Sequence, residues 1–472
     1  MRDTIFALSS GRPPAAIAVI RISGSQAGAA LSAMTGRIPV PRRASLVRVC
    51  DPTSGEIIDE GLALWFPRPH SETGEDIAEL QVHGGRAVIA ATLRALAKLP
   101  GLRHAEAGEF TRRAFENGRM DLTAVEGLAD LVAAETEAQR RQAYHHLNGL
   151  LGDRAEAWRQ QLIEALALVE AGIDFAEEDD VPETAMAQAL ARIQPLAEEI
   201  EKACSGTGER LREGLRVAIA GPPNAGKSTL FNRLARREAA IVSPFPGTTR
   251  DVLELHLDLG GFPVTVLDTA GIRETDDPIE REGVRRARDQ AAQASLVLWV
   301  EDATERFGTL FPQDEENSRL SEGAGWGEGV SLGNHPKCGR ASGVPGAAAV
   351  WRIVNKIDLF DPKNSAPLYS ENVYLVSNTT GEGVNELLSA IRSFCEEFFL
   401  PEPAVVTRER QREHLQDCTA ALRNAKEAAT TGREEIVAEH LRLATRSLGK
   451  LLGRVDVEDI LDVIFRDFCI GK

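Results

Sequence analysis

Residues Gly221 to Thr229 read GPPNAGKST, and no other stretch constrains the fold as tightly. The apolar run LRVAIA before it (Leu215 to Ala220) suits a buried strand, and Leu230 to Arg236 after it suit a helix. Strand, glycine-rich turn and helix are the context that a G-x-x-x-x-G-K-[ST] motif requires. Gly221 and Gly226 let the backbone wrap phosphate oxygens, with Ala225 between them and N–H groups turned inward. Lys227 reaches toward the β- and γ-phosphates, Ser228 is placed to hold Mg²⁺, and Thr229 opens the helix whose positive end adds to the field. Alone, the motif fits an ATPase equally well.

Three further motifs follow in order. GTTRD (Gly247 to Asp251) places Thr249 as a second Mg²⁺ ligand. DTAG (Asp268, Thr269, Ala270, Gly271) ends the run Val264 to Leu267; Asp268 suits the Mg²⁺ shell and the Gly271 N–H suits the γ-phosphate. NKID (Asn355, Lys356, Ile357, Asp358) follows Ile353 and Val354. The Asp358 carboxylate matches the N1–H and N2–H₂ donors of guanine, whereas adenine would leave it unpaired. Ser377, Asn378 and Thr379 stand where a loop backing the base belongs. Together these predict a Ras-like GTP-binding switch domain, a doubly wound sheet with nucleotide at the strand C-termini.

At 472 residues the chain has room for two to four domains. It has no run of eighteen apolar residues and no basic-then-apolar start, so neither a membrane span nor a secretory signal is expected. Its six cysteines lack metal spacing and fit the reduced thiols of a cytoplasmic protein. The net charge of −17 argues against a general nucleic-acid coat, so RNA contact would use a local basic patch or a partner's surface.

Residues 1–120 read as an α/β domain, with strands at Ala15 to Ile22 and Gly61 to Phe66 and a helix over Arg86 to Leu99. Arg21 lies within an apolar strand, which is costly unless paired. With Thr73 to Asp76, Glu79 and the charged stretch Gly108 to Leu122, it suits either a small-molecule anion site or ordinary turns and caps. Residues 121–213 and 399–472 read as helical, the first on Leu128, Leu131, Val132, Leu162, Leu166 and Val169, the second on Leu441, Leu443, Leu448, Leu451 and Leu452. The G domain spans 214–398 with a Gly-, Ser- and Glu-rich insertion at about 302–350. The two helical parts predict one discontinuous helical domain interrupted by the G domain.

GEFTRRAFENGRMDL (Gly108 to Leu122) and the terminal Cys469-Ile-Gly-Lys472, with this domain order, resemble the tRNA-modification GTPase family MnmE, also called TrmE. The resemblance implies a homodimer that works with a flavoprotein partner, MnmG, which brings FAD and NADH. Together they would add an aminomethyl or carboxymethylaminomethyl group to carbon 5 of the wobble uridine of tRNA. The N-terminal domain would be a folate-binding-like dimerisation domain. Its 5-formyl- or methylene-tetrahydrofolate would meet Arg21, Glu79, Arg119 and Lys472. Arg119 stands where the family often has lysine.

Small GTPases commonly place a glutamine after DTAG to orient water; here Ile272 occupies that position. The resemblance assigns Asn224 to a K⁺ ion whose shell would be completed by Ser243, Pro244, Phe245, Pro246, Gly247 and Thr248, with Ser243, Phe245 and Thr248 as ligands beside Asn224. It assigns water orientation to Glu280, which from the residues alone suits a solvated helix charge equally. Asn224, Lys227 and Glu280 are therefore the expected catalytic residues. The alternative is an RNA-binding GTPase of the ribosome-assembly kind, which would carry a basic RNA module. A third is a folate-binding regulator in which the GTPase only signals.

Overall fold

The computed structural model describes residues 3–174, 184–204, 208–237, 239–240, 254–268, 294–304, 349–359, 372–399 and 404–455, together with 461, 464–465, 468 and 471. By contact the chain divides into two compact units. The first comprises Met1–Val132, Ala143–Ser205 and Glu409–Lys472; the second comprises Ala133–Gln142 and Gly206–Arg408.

The first unit opens with a six-stranded sheet in the order β3-β4-β5-β2-β1-β6. Its strands are β1 (Thr4–Leu8), β2 (Ile17–Ser23), β3 (Ser45–Cys50), β4 (Ile57–Phe66), β5 (Ile77–His83) and β6 (Leu102–His104). Alternation sets which face is buried: Ala18, Ile20 and Ile22 of β2 join Ala78, Leu80 and Val82 of β5 in one core. Helices α1 (Ala27–Thr35) and α2 (Arg86–Ala97) cover it with Leu31, Met34, Ile89 and Leu96. The opposite face holds Arg21, paired in register with Glu79. Helix α3 (Glu109–Glu116) buries Phe110, Glu109 and Arg113.

The remainder of this unit is helical. Helices α4 (Leu122–Ala133), α5 (Glu137–Leu147), α6 (Gly152–Asp174) and α7 (Thr184–Cys204) precede the second unit, although the start of α5 belongs to that unit. Two helices follow it, Glu409–Thr430 and Glu434–Leu451. The last packs on α6 and on its predecessor. Leu441, Leu448, Leu451 and Leu452 are buried as the periodicity requires, whereas Leu443 is exposed. Two positions from Leu441 is more than half a helical turn, so Leu443 faces away from that core. Val132 is likewise exposed. A buried carboxylate, Glu126 on α4, accepts two hydrogen bonds from Arg410 (2.9 and 3.0 Å) and one from Gln411 (2.7 Å). Leu461, Phe465 and Phe468 close a cluster with Leu122 and Val125, and Gly471 abuts the carbonyl of Leu8 in β1.

The second unit contains α8 (Gly208–Glu213), β7 (Leu215–Ala220), α9 (Lys227–Ala235), β8 (Glu254–Leu259), β9 (Phe262–Asp268), β10 (Leu296–Asp302), β11 (Ala349–Asn355), β12 (Val373–Val376) and α10 (Val384–Phe398). Sheet order is β12-β11-β10-β7-β9-β8, with only β8 antiparallel to its neighbour. The central strands β7 and β10 are near-continuous apolar runs, as strands covered on both faces demand, whereas the edge strand β8 alternates. Their C-terminal ends bring together Gly221, Asp268, Asp302, Asn355 and Ser377.

Candidate functional site

The GPPNAGKST turn leaves β7 and enters α9, whose first residue is Lys227. Gly221 (φ +140°) runs so close to the carbonyl of Val300 on β10 that a Cβ would clash with it. Gly226 (φ +97°) lies against the Asn355 amide in the same way. Both positions need glycine for space and for backbone angle. Asn224 is exposed at φ +62°, Ala225 is fully buried, and Ser228 and Thr229 are exposed on the first turn of α9.

Lys227 donates from Nζ to the carbonyls of Gly221 and Pro222, both at 2.8 Å. Burial holds its ammonium below the ordinary lysine value, partly offset by the Asp268 carboxylate. A half-buried ammonium already turned onto its own loop has met part of its desolvation cost before an anion arrives. The cradle, the ammonium and the buried Asp268 at the end of β9 form a donor set that fits a Mg²⁺–phosphate group, which Ser228 and Asp268 would hold.

The base side is built from the ends of β11 and β12. Asn355, 2% exposed, donates from Nδ2 to the Ala225 carbonyl (2.8 Å) and accepts at Oδ1 from the Asn378 N–H (3.1 Å). Asn378 donates from Nδ2 to the Gly226 carbonyl (3.1 Å). Two amides thus tie the phosphate loop to both base loops. Ser377 donates to Asp358 Oδ1 (2.5 Å) and accepts from the Thr380 N–H (3.1 Å), which fixes an otherwise exposed carboxylate. Ile357 and Asp358 lie in a single 3₁₀ turn, and Thr379 is exposed beside them. Lys356 (φ +66°) sends Nζ to Asp302 Oδ2 at 2.5 Å, while Asp302 Oδ1 accepts from the N–H and hydroxyl of Thr304. Burial alone would raise the Asp302 carboxyl, but Lys356 and Thr304 hold it below the usual range. Asp302 was not legible as a site residue; its one signal is that it closes the pair Glu301-Asp302 after the apolar run LVLWV.

Thr249, Thr269, Ala270, Gly271, Glu280, Lys472 and the residues Ser243 to Thr248 lie outside the described residues, as does Cys469.

In the first unit, Arg21 donates from Nε to Glu79 (3.0 Å) and pairs through Nη1 with Glu72 (2.6 Å), with the Phe110 ring 5.8 Å from its guanidinium. The strand arginine is therefore paired, as its position demands. Arg119 is exposed and lays its stem along Gly74. Between them runs a network that sequence reading did not resolve. Arg113, 3% exposed, donates to Glu75 (2.9 Å) and Glu109 (3.2 Å). Ser23 donates to the same Glu75 carboxylate (2.9 Å), and Asn117 donates to the Thr73 carbonyl (2.7 Å). This fixes the Thr73–Asp76 loop beside Arg21 and Arg119. Gly471 lies against β1, next to the strand that carries Arg21. Among the described residues no cluster of His, Cys, Asp and Glu could hold a metal ion, and no helix is long and apolar enough to cross a membrane.

A mostly parallel sheet, a phosphate loop after its central strand and an Asn-Lys-Ile-Asp turn tied to that loop define a P-loop GTPase fold, here one of two units. Residues 4–119 match the family described as the GTP-binding protein TrmE N-terminus, and residues 122–469 match the MnmE helical domain. The chain is 53% identical over 476 residues to the tRNA modification GTPase MnmE of Bradyrhizobium sp. (strain BTAi1), covering 100% of this chain and 99% of that one. It is 52% identical over 475 residues to the protein of the same name from Rhodopseudomonas palustris (strain CGA009), with the same coverage. The chain belongs to the MnmE family of tRNA modification GTPases.

Proposed function

We propose that the protein hydrolyses GTP in the service of tRNA modification. With a flavoprotein partner of the MnmG kind, it adds an aminomethyl or carboxymethylaminomethyl group to carbon 5 of the wobble uridine. The observation that carries the GTP reading is the amide tie from Asn355 and Asn378 to the phosphate loop, beside an Asp358 carboxylate oriented by Ser377. That arrangement presents an acceptor to the guanine N1–H and N2–H₂ edge while holding the loop that would bind the phosphates. Family membership over the whole length supports the tRNA reading.

The finer assignments rest on the resemblance and on local chemistry. Lys227 neutralises the β- and γ-phosphates, and Ser228, Thr249 and Asp268 hold Mg²⁺. Asn224 with Ser243 to Thr248 forms a K⁺ shell, and Glu280 orients water. Bound K⁺ would add positive charge beside the transferred phosphoryl group, where Ile272 adds none. Arg21, Glu79, Arg119 and Lys472 hold the tetrahydrofolate one-carbon donor. Arg21 is already committed to two carboxylates, so the Arg21–Glu79 pair suits the donor-and-acceptor edge of a pterin better than a bare anion. Arg119 is then the cation that suits the glutamate tail. A homodimer through the N-terminal sheet is supported by an exposed apolar row on its face, Ile17 at 59%, Leu62 at 38% and Leu46 at 70%, with Leu46 and Leu62 paired in register.

The test is reconstitution. Full-length protein, flavoprotein partner, tRNA, GTP, NADH and 5,10-methylenetetrahydrofolate are combined, and the tRNA nucleosides are read by mass spectrometry. Absence of a modified wobble uridine sinks the reading, and equal GTP turnover in Na⁺ and K⁺ removes the potassium assignment alone.

A further inference from the structure

The chain holds 71 acidic residues against 54 Lys and Arg, yet Thr4 to Cys50 contains no acidic residue and six arginines. Two of the six are committed locally: Arg21 to Glu72 and Glu79, and Arg48 to Glu60. Three others, Arg37, Arg42 and Arg43, lie on the exposed loop 36–44 between α1 and β3. Their backbone is anchored. Arg42 N–H donates to the Trp65 carbonyl (2.9 Å) and Arg43 N–H to that of Val40 (3.2 Å), with Pro39 and Pro41 stiffening the run. The Arg42 guanidinium stands 5.7 Å from the Phe66 ring centre and donates to the His70 carbonyl, and Arg37 donates to the Leu46 carbonyl at 3.3 Å. Strand β4 ends at Phe66, and the chain continues through exposed Arg68 and His70, with Arg68 N–H held by Asp76 (2.9 Å).

Arg37, Arg42, Arg43 and Arg68 therefore converge on one end of the N-terminal sheet. Among the described residues none of the four guanidiniums meets a carboxylate. In a chain with this acidic excess, such a set is the local exception that an acidic protein needs to touch a polyanion. We propose that this rim binds the phosphate backbone of tRNA. Guanidinium forks match phosphate oxygens in two-point geometry. The anchored backbone limits the ordering cost of forming those contacts. The rim also has the right neighbour. The same loop that carries Arg68 and His70 runs on to Glu72, which holds Arg21, and to Gly74, which backs Arg119. The rim is therefore continuous, through this one loop, with the proposed one-carbon site. The inference rests on the tRNA reading given above.

Fluorescence anisotropy of a labelled tRNA is measured with full-length protein between about 50 and 300 mM KCl, a range in which phosphate contacts dominate the salt response. The variant is the triple Arg37→Gln/Arg43→Gln/Arg68→Gln; Arg42 is left because it anchors the loop. Tenfold or greater loss of affinity is expected near 0.1 M salt. The slope of log Kd against log salt should flatten by about two, since each phosphate contact contributes ~0.7–0.9. Thermal unfolding and basal GTP hydrolysis should not change. An unchanged affinity and slope in the variant would overturn the rim while leaving the tRNA reading intact. Unchanged tRNA binding with weakened binding of a polyglutamyl folate, or with loss of the dimer, would assign the rim to that ligand or to self-association and overturn the proposal. If the wild-type protein neither binds tRNA at any salt nor supports its modification, the underlying reading falls with it.

Discussion

Replacing Asn355 by Ala removes the hinge pin of the nucleotide site. Two buried groups lose their partners, the Ala225 carbonyl and the Asn378 N–H. Leaving a buried polar group unsatisfied costs ~1–3 kcal/mol each, so the arrangement loses about 2–4 kcal/mol after some water entry at the open side of the site. The bound nucleotide requires the phosphate loop and base loops in register, so it meets this cost again on binding. At about 1.4 kcal/mol per factor of ten, GDP affinity should fall roughly 30-fold or more. The loss should appear mainly as faster dissociation. Asn355→Asp retains the acceptor for Asn378 but sets a carboxylate oxygen against the Ala225 carbonyl, so it should be at least as damaging. Asn378→Ala breaks one hydrogen bond of 3.1 Å and should cost about 1 kcal/mol, near fivefold. Stopped-flow release of a fluorescent GDP analogue gives all three rates, with circular dichroism confirming folded protein. Dissociation from folded Asn355→Ala within threefold of wild type would refute the tie, as would a larger effect from Asn378→Ala.

Asp358→Asn should weaken GTP and admit xanthosine triphosphate, because the carboxylate that Ser377 orients is replaced by a donor; a titration showing unchanged selectivity would reject Asp358 as the base reader. Glu109 tests the buried network. Burial raises its carboxyl, but Arg103, the Glu106 N–H and Arg113 more than offset that, so it sits below the ordinary value of 4.5. A depressed folded value contributes stability that is present above the unfolded value and lost as pH falls through the folded one. Glu109→Gln should therefore be less stable at pH 7 by roughly 3 kcal/mol, with a gap to wild type that narrows below pH 4.5; a constant gap would show that the charge is not its source. Burial pushes the thiols of Cys395 and Cys418 up to about 12. Iodoacetamide at pH 8 should leave both unmodified in native protein and alkylate both after denaturation, as read from mapped peptides.

The legible parts of this chain were those whose chemistry is local in sequence. GPPNAGKST carries its own strand, turn and helix, and the glycines that the turn demands at Gly221 and Gly226 are written into it. Arg21 announced a need for a partner because it interrupts an apolar strand, and Glu79 stands opposite it in register. The tie from Asn355 to Ala225 spans 130 positions, and nothing near either residue reports it. The stretch around Arg113 misleads for a related reason. Its density of charge suits an anion site or ordinary turns and caps, yet Arg113 and Glu109 are buried, each paired with the other and with Glu75 or Arg103. Leu443 errs in the opposite direction, an apolar residue counted with a face from which the helical turn removes it.

The interrupted first unit has a consequence for synthesis. Helix α6 ends at Asp174, and the helix that packs on it begins at Glu434. At ~5–20 residues per second, a ribosome needs very roughly 13 to 50 s to deliver the second after the first. For that interval α6 has its neighbour α7 but lacks the helix from beyond the second unit, while the whole of residues 206–408 emerges and has time to fold. The part of α6 that the last helix covers thus waits for longer than many small domains take to fold many times over. Slowing elongation within 206–408 lengthens that wait without altering a single contact of the finished protein.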